Sequence, residues 1–599
     1  MLRANGRRSP NAHGSVAAAP PSSGAVGTLA IDPDRTPEGA ADLEPSLHNL
    51  VALGVIDELQ QTAVAERARR SSTSAAAAVL ELGLIEDRAL AAALAGPEHT
   101  PIIDLRNQQV DAKAAELIGA ERSRLLDVLA YAADDDGVRV AALDPGDPRL
   151  APVLADLAAR GPVTVGIGVA DELRTVVNQT FRRLIDVDAL VGEFNRTEVQ
   201  HPEPVTAGVE DQHDVPVVQL VERIIAQAMF DRSSDVHIES VDGVCRVRYR
   251  IDGALTEVLR LPLRMAAPIV SRIKILADMS IVERRRPQDG QFTMLVDGKP
   301  LDVRVATSST IWGEKAVLRL LGHDRRVLRL ADLGMPPATE ARFARLARSA
   351  HGMLICSGPT GSGKTTTLYS AIGRIDATEL NITTIEDPVE SVLAGINQIQ
   401  ISEPAGLTFA VGLRSILRQD PDVILVGEMR DAETTRIAVE AALTGHLVLS
   451  STHATDAAAA LVRMADMGIE RFRIASSVIG VVGQRLVRRV CRACAVEQTP
   501  DQEDLDAFVR QGGDPDLSFQ VGEGCSLCSG SGYHGRVGIF EILEMDDELR
   551  DLLVAGRPAR ELRAQAAAAG MLTLADGATD LVASGTTSLA EFLRKVSVH

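Results

Sequence analysis

Residues 358–365 read Gly358-Pro359-Thr360-Gly361-Ser362-Gly363-Lys364-Thr365, and this stretch decides how the rest of the chain is read. Glycines at 358 and 363 followed by Lys364-Thr365 give the phosphate-loop spacing. The glycines let the backbone turn tightly, so that amide N–H groups and a following helix N-terminus point at phosphate oxygens. Lys364 adds a point charge on the β- and γ-phosphates, and the Thr365 hydroxyl is placed to hold Mg²⁺. The flanks supply the strand, loop, helix order the motif needs: Met353 to Cys356 is a short apolar run, and Thr366 to Ile375 can continue as a helix. Gly358 to Thr366 is therefore the expected ATP-binding segment.

Downstream, Ile382 to Ile385 reads as a β-branched strand ending in Glu386-Asp387-Pro388-Val389-Glu390. A carboxylate at the end of a parallel strand faces the ligand crevice, where it can orient the water attacking a γ-phosphate. Val423 to Val426 is a second buried-strand run. It leads into Gly427-Glu428, so Glu428 stands where a Walker B carboxylate would hold Mg²⁺, and glycine replaces the usual aspartate before it. Arg414 and Arg418 are four apart on an expected helix and share a face; they are candidates for neutralising phosphate charge, or solvated helix arginines. Leu447 to Ser451 is a third strand, bracketed by His446 and His453. Each histidine is either a satisfied structural residue or a γ-phosphate sensor. Three apolar strands separated by helical stretches make an α/β nucleotide-binding core.

Two C-x-x-C pairs, Cys491/Cys494 and Cys525/Cys528, are separated by 30 residues. Four thiolates suit a closed, structural Zn²⁺ site; a redox pair is the rival reading. The insert changes loop length and not ligand geometry. Over residues 541–597 the chain returns to short amphipathic helices, including Leu562 to Ala568 and Leu589 to Val596.

A chain of 599 residues is too long for one core. Its 45% hydrophobic and 24% charged content are those of globular domains. A net charge of −20 opposes broad binding to nucleic acid or anionic lipid, although local basic patches remain open. With no apolar stretch of spanning length and no signal-like leader, a cytoplasmic protein is expected. Residues 1–45 are rich in Ala, Pro, Ser and Gly and are read as a disordered tail. Residues 46–170 form a small α+β adaptor domain with a hairpin turn at Asp136-Gly137. Residues 171–213 are read as a linker, and residues 214–330 as an α+β domain preceding the core. In that domain Val244 to Ile251 alternates, putting Arg246, Arg248 and Arg250 on one face. Taken alone, the strand fits a solvated face slightly better than a phosphate-facing one. Arg304 and Arg319 lie on further strands and would meet nucleotide only through interdomain or intersubunit packing.

Together these motifs resemble the secretion ATPase superfamily that drives type II secretion and type IV pilus assembly. The resemblance covers about 210–599 and rests on Ser234 to Glu239, Val247 to Gly253, Arg285 to Gly290, the phosphate loop, Ile385 to Glu390, Ile424 to Asp431, Thr444 to His446, the four cysteines and Gly535 to Glu541. It implies a multidomain α/β protein: a RecA-like core over 331–490, a PAS-like domain before it, a zinc-binding insert at 491–530, and a helical part of the ATPase domain at 531–599. It also implies a homohexamer hydrolysing ATP to ADP and phosphate, with Mg²⁺, at its seams. The partners it implies are an inner-membrane platform protein and a cytoplasmic-facing linker, at the inner face of the cytoplasmic membrane. By resemblance Glu390 activates water, Glu428 is the Walker B glutamate, and His446 and His453 are the histidine-box positions. Arg304 and Arg319 reach nucleotide from the preceding domain, while Arg414 and Arg418 lie near the phosphates. Some relatives bind cyclic di-GMP through an Arg-Leu-Gly motif. Here the matching stretch is Ser74-Ala75-Ala76-Ala77-Ala78, which puts that ligand in doubt. A DNA-translocating or conjugation-type ATPase shares the core motifs. The acidic net charge and the lack of an aromatic-basic stripe argue against it.

Overall fold

Uncharged aliphatic and β-branched runs fold as strands buried on both faces, and the centre of the largest sheet is built from them. The computed structural model describes residues 44–71, 73–95, 100–105, 108, 110–134, 136–182, 215–296, 299–322, 328, 330–525 and 527–596. Seven strands lie in the order Asn397–Gln400, Ile382–Glu386, Val423–Val426, Leu447–Thr452, Gly352–Ser357, Val478–Val490 and Tyr533–Glu544. Neighbours are parallel except the last pair. One face is packed by Leu413, Ile416, Ala438, Leu461 and Ile474, the other by Phe343, Leu368 and Ile372. Because the strands are parallel, the loops after Ser357, Glu386, Val426 and Thr452 gather along one edge.

The strand Tyr533–Glu544 corrects the reading of 531–599 as helical. Val537, Ile539, Phe540, Ile542 and Leu543 are buried on it, and it pairs with Val478–Val490 from Gly480↔Glu544 to Val490↔Tyr533. β-Branched and aromatic residues suit such a paired, buried strand. Helices follow only from Asp547 onward.

A six-stranded antiparallel sheet precedes the phosphate loop, in the order Ala254–Pro262, Val244–Ile251, Asp235–Val241, Gly313–Gly322, Lys299–Thr310 and Gln288–Val296. Alternation sends Val236, Ile238, Val247, Tyr249, Val303 and Leu318 to one side, against the helices Val215–Phe230 and Ala266–Leu276. On the other side Glu239 binds Arg246, Arg248 and Lys315. Burial opposes its ionisation, but the bonds from Arg248 and Lys315 hold its carboxyl down at about 2. Much of the arginine face is thus neutralised within the sheet.

The amino-terminal part has a four-stranded sheet ordered Ile102–Ile103, Val163–Gly168, Gly137–Ala142 and Val128–Asp134. Ala75–Ala78 are buried on a helix capped by Ser74. The helix Ala170–Arg182 corrects the expected linker at 171–213: Leu173, Val176, Val177 and Phe181 are buried against the same core. Their helical spacing is an amphipathic stripe hidden in a polar stretch. The rest of that linker, 183–213, and most of the expected tail lie outside the described residues.

Candidate nucleotide site and cysteine centre

The phosphate loop leaves the strand Gly352–Ser357 and enters the helix Lys364–Ile372, whose ends fall two and three residues before those expected. Gly363 caps that helix at φ +87°. A Cβ at 363 would come within 2.9 Å of Gln484 Nε2, and one at 358 within 2.5 Å of the Gln484 carbonyl oxygen. Gln484 lies against the loop, buried, and its Oε1 accepts a hydrogen bond from Thr367 Oγ1 at 2.8 Å. No motif in the sequence points to Gln484. The parallel pairing of Ser357 with Gly483 is what brings it to the loop.

Lys364 is buried, and its Nζ donates to the carbonyls of Gly358 and Pro359 at 3.0 and 3.1 Å. Burial pushes its pKa below the ordinary lysine value, and Arg485 acts in the same direction. Glu428 and Glu390 oppose the shift. Among the described residues Ser362 Oγ is buried without a hydrogen-bond partner, an arrangement that asks for an acceptor or donor from a ligand. Glu428 is paired with Arg430 at 2.5 Å and lies 3.4 Å from His453 Nε2. Lys364, Glu390, Glu428 and His453 therefore share one edge of the sheet. Glu386 differs from Glu390: it is buried and accepts bonds from Tyr369 OH, Thr384 Oγ1 at 2.7 Å and Gln398 Nε2 at 3.1 Å. It braces the strand, while Glu390 is exposed.

The other five expected residues make their hydrogen bonds and ion pairs away from the phosphate loop among the described residues. His446 precedes the strand Leu447–Thr452, and six residues rise about 20 Å along a strand. This corrects its placement beside the site: its Nδ1 lies 2.9 Å from the Ala441 carbonyl at the opposite edge. Arg414 is exposed and paired with Glu433 at 2.5 Å. Arg418 falls beyond the helix Phe409–Ile416, where its Nη1 donates to the Arg414 carbonyl at 2.8 Å. Arg304 and Arg319 are cross-strand partners on the six-stranded sheet, and Arg319 is held by Asp235 at 3.1 Å. Among the described residues no hydrogen bond or ion pair joins these arginines to the phosphate loop.

The four cysteine Sγ atoms lie within 4.8 Å of one another, with 491–525, 494–528 and 525–528 separations of 3.8, 3.9 and 3.7 Å. A tetrahedron with Zn–S bonds of about 2.3 Å has edges of about 3.8 Å, so the donor set fits zinc. Backbone N–H groups of Gly524, Cys525 and Gly532 point at the sulfurs from 3.1–3.3 Å, as thiolate ligands require.

The family model described as "Type II/IV secretion system protein" matches residues 210–594. The chain belongs to that family. The Type II secretion system protein HxcR of Pseudomonas aeruginosa is 45% identical over 430 residues, 71% of this chain and 88% of its own length. The Type IV pilus assembly ATPase PilB of Myxococcus xanthus is 36% identical over 550 residues, 90% of this chain and 97% of its own. Among solved structures, the pilus retraction motor PilT with bound ADP gives a TM-score of 0.43 at 25% identity, covering 63% of this chain and 96% of PilT. Both larger sheets and the cysteine centre fall inside the span of the secretion family model. The PilB match is longer than that span, so it takes in part of the chain before residue 210. No described helix is long and apolar enough to cross a membrane.

Proposed function

We propose that this chain is an ATP-hydrolysing motor that powers type II protein secretion or type IV pilus assembly by pushing on an inner-membrane platform protein. The observation that carries this is Lys364, buried inside its phosphate loop with Glu390 and Glu428 beside it, in a chain related along most of its length to a PilB named as a pilus assembly ATPase. On this reading the seven-stranded sheet is a RecA-like core, with the six-stranded sheet as the domain that closes on it and the amino-terminal sheet as an adaptor. Glu390 orients the attacking water. Thr365 and Glu428 would hold Mg²⁺, which when bound neutralises charge on the β- and γ-phosphates. His453 lies close enough to Glu428 to respond to the γ-phosphate, whereas His446 has no place in its own chain's site. The four cysteines would hold Zn²⁺ as a structural ion, because four thiolates leave no open position. The chain works as a homohexamer at the inner face of the cytoplasmic membrane, attached through a cytoplasmic-facing linker protein. Cyclic di-GMP and nucleic acid are not assigned as ligands.

Steady-state phosphate release tests this. Release unaffected by single-stranded DNA is expected. Strong stimulation by DNA would move the chain to the DNA-translocating reading. Tight ATP binding with no release from the assembled protein would make it a nucleotide-holding regulatory module.

A further inference from the structure

The hairpin joining strands Lys299–Thr310 and Gly313–Gly322 ends in Ile311-Trp312, the chain's single tryptophan. Ile311 is 93% exposed and Trp312 51%. The tip is not slack: Thr310 Oγ1 donates to the Gly313 carbonyl at 2.6 Å and accepts from Trp312 N–H at 3.2 Å. Next to it, Glu314 meets the buried Lys274 ammonium, which also donates to the Glu283 carbonyl at 2.7 Å. That shared ammonium ties a second loop to the base of the hairpin. In this loop Val282 is 85% exposed, and Arg284, Arg285 and Arg286 are all exposed. The carboxylate within the loop, Glu283, accepts from the backbone N–H groups of Arg285 and Arg286 at 2.7 and 3.2 Å. Among the described residues no ion pair engages the three guanidiniums.

We propose that this surface docks directly on an anionic lipid bilayer, with Ile311, Trp312 and Val282 entering the headgroup region and the three arginines meeting lipid phosphates. The choice of occupant follows from shape and charge. Ile311 is almost fully exposed at the tip of a hairpin, and a fluid interface takes up such a protruding side chain without a matching recess; a protein partner would have to supply one. Tryptophan favours the membrane–water interface, and each arginine near an anionic leaflet strengthens attachment about five-fold. The net charge of −20 does not cancel this, because charges beyond about 8 Å are screened at physiological salt. The proposal goes beyond the secretion reading and stands apart from it, since it needs neither nucleotide nor turnover.

The single tryptophan makes the test direct. The full chain without nucleotide is titrated with vesicles of phosphatidylglycerol and phosphatidylcholine, or of phosphatidylcholine alone, while Trp312 emission is read. Anionic vesicles are expected to shift the emission to the blue, brominated acyl chains to quench it, and raised salt to weaken both effects. Replacing all three arginines (Arg284→Gln, Arg285→Gln, Arg286→Gln) should weaken binding roughly 100-fold, and Ile311→Asp should remove the shift. All four positions are exposed, so a melt should show the fold unchanged. No shift with either vesicle, or equal binding to neutral vesicles, would overturn the proposal. A blue shift that grows with protein concentration in the absence of lipid would overturn it too, and would assign the surface to a second copy of this chain.

Discussion

Lys364 spends its hydrogen bonds on two carbonyls of its own loop, so phosphate oxygens have only to replace partners already at the right distance. Lys364→Ala removes a buried charge from that cradle. Charged hydrogen bonds are worth about 1.5–3 kcal/mol each, so nucleotide affinity should fall by at least ten-fold in an equilibrium titration. Glu390→Gln keeps the cradle and removes only the carboxylate proposed to orient water. ATP should stay bound while turnover drops by about 10²–10⁴. Near wild-type turnover in that variant would pass the role to Glu428. Gly363→Ala asks an L-residue to hold φ +87° with its Cβ 2.9 Å from Gln484, and should cost both nucleotide binding and melting temperature. The phosphate loop was legible because its chemistry is local in sequence. Gln484 was not, since only the parallel pairing with a strand more than a hundred residues away sets it there. For His446 the structure selects the first of the two sequence readings, a satisfied structural histidine. The rule that ligands gather at the C-terminal ends of parallel strands places Glu428 and His453 at the site, and it excludes a residue that precedes its strand.

At the scale of elements, the cysteine centre explains why a 30-residue insert between knuckles is harmless. Cys491 follows directly on the strand Val478–Val490, and Cys528 comes shortly before Tyr533–Glu544. Those strands are antiparallel, with Val490 opposite Tyr533. Sheet pairing therefore delivers both knuckles to one point before any metal arrives. The sequence pattern picked out the four candidate ligands, but not the strand that brings the second pair home, because that strand's partner is remote in sequence. The purified chain should carry about one zinc. Cys491→Ser or Cys525→Ser should lose it and lower the first melting transition, since structural zinc contributes on the order of 10 kcal/mol at small sites. Metal analysis showing no zinc, with an unchanged melt, would remove the metal from this account.

At the scale of the whole molecule, the proposal that arginines of the six-stranded sheet act on nucleotide at the phosphate loop makes a demand on how the two sheets meet. Phosphoryl transfer spreads negative charge over equatorial oxygens, and an arginine delivered from a neighbouring element accelerates it by about 10³–10⁵. Arg304 and Arg319 face each other across the six-stranded sheet, and Arg319 is occupied by Asp235. On the proposed reading, a guanidinium held in this way is released and carried to a phosphate, either by closure of its own chain or by the next chain in a ring. Arg304→Ala or Arg319→Ala should then depress kcat far more than nucleotide affinity. Turnover per chain should rise with protein concentration as rings form. Mixing separates the two routes. An Arg319→Ala chain has an intact phosphate loop and Glu390; a Glu390→Gln chain has an intact Arg319 but no working site. Delivery between chains predicts that the mixture hydrolyses ATP well above the sum of its parts, because each Arg319→Ala core can borrow a neighbour's arginine. If mixing restores nothing while each variant still assembles, the arginine acts within its own chain, and closure of the six-stranded sheet onto the phosphate loop becomes the catalytic movement.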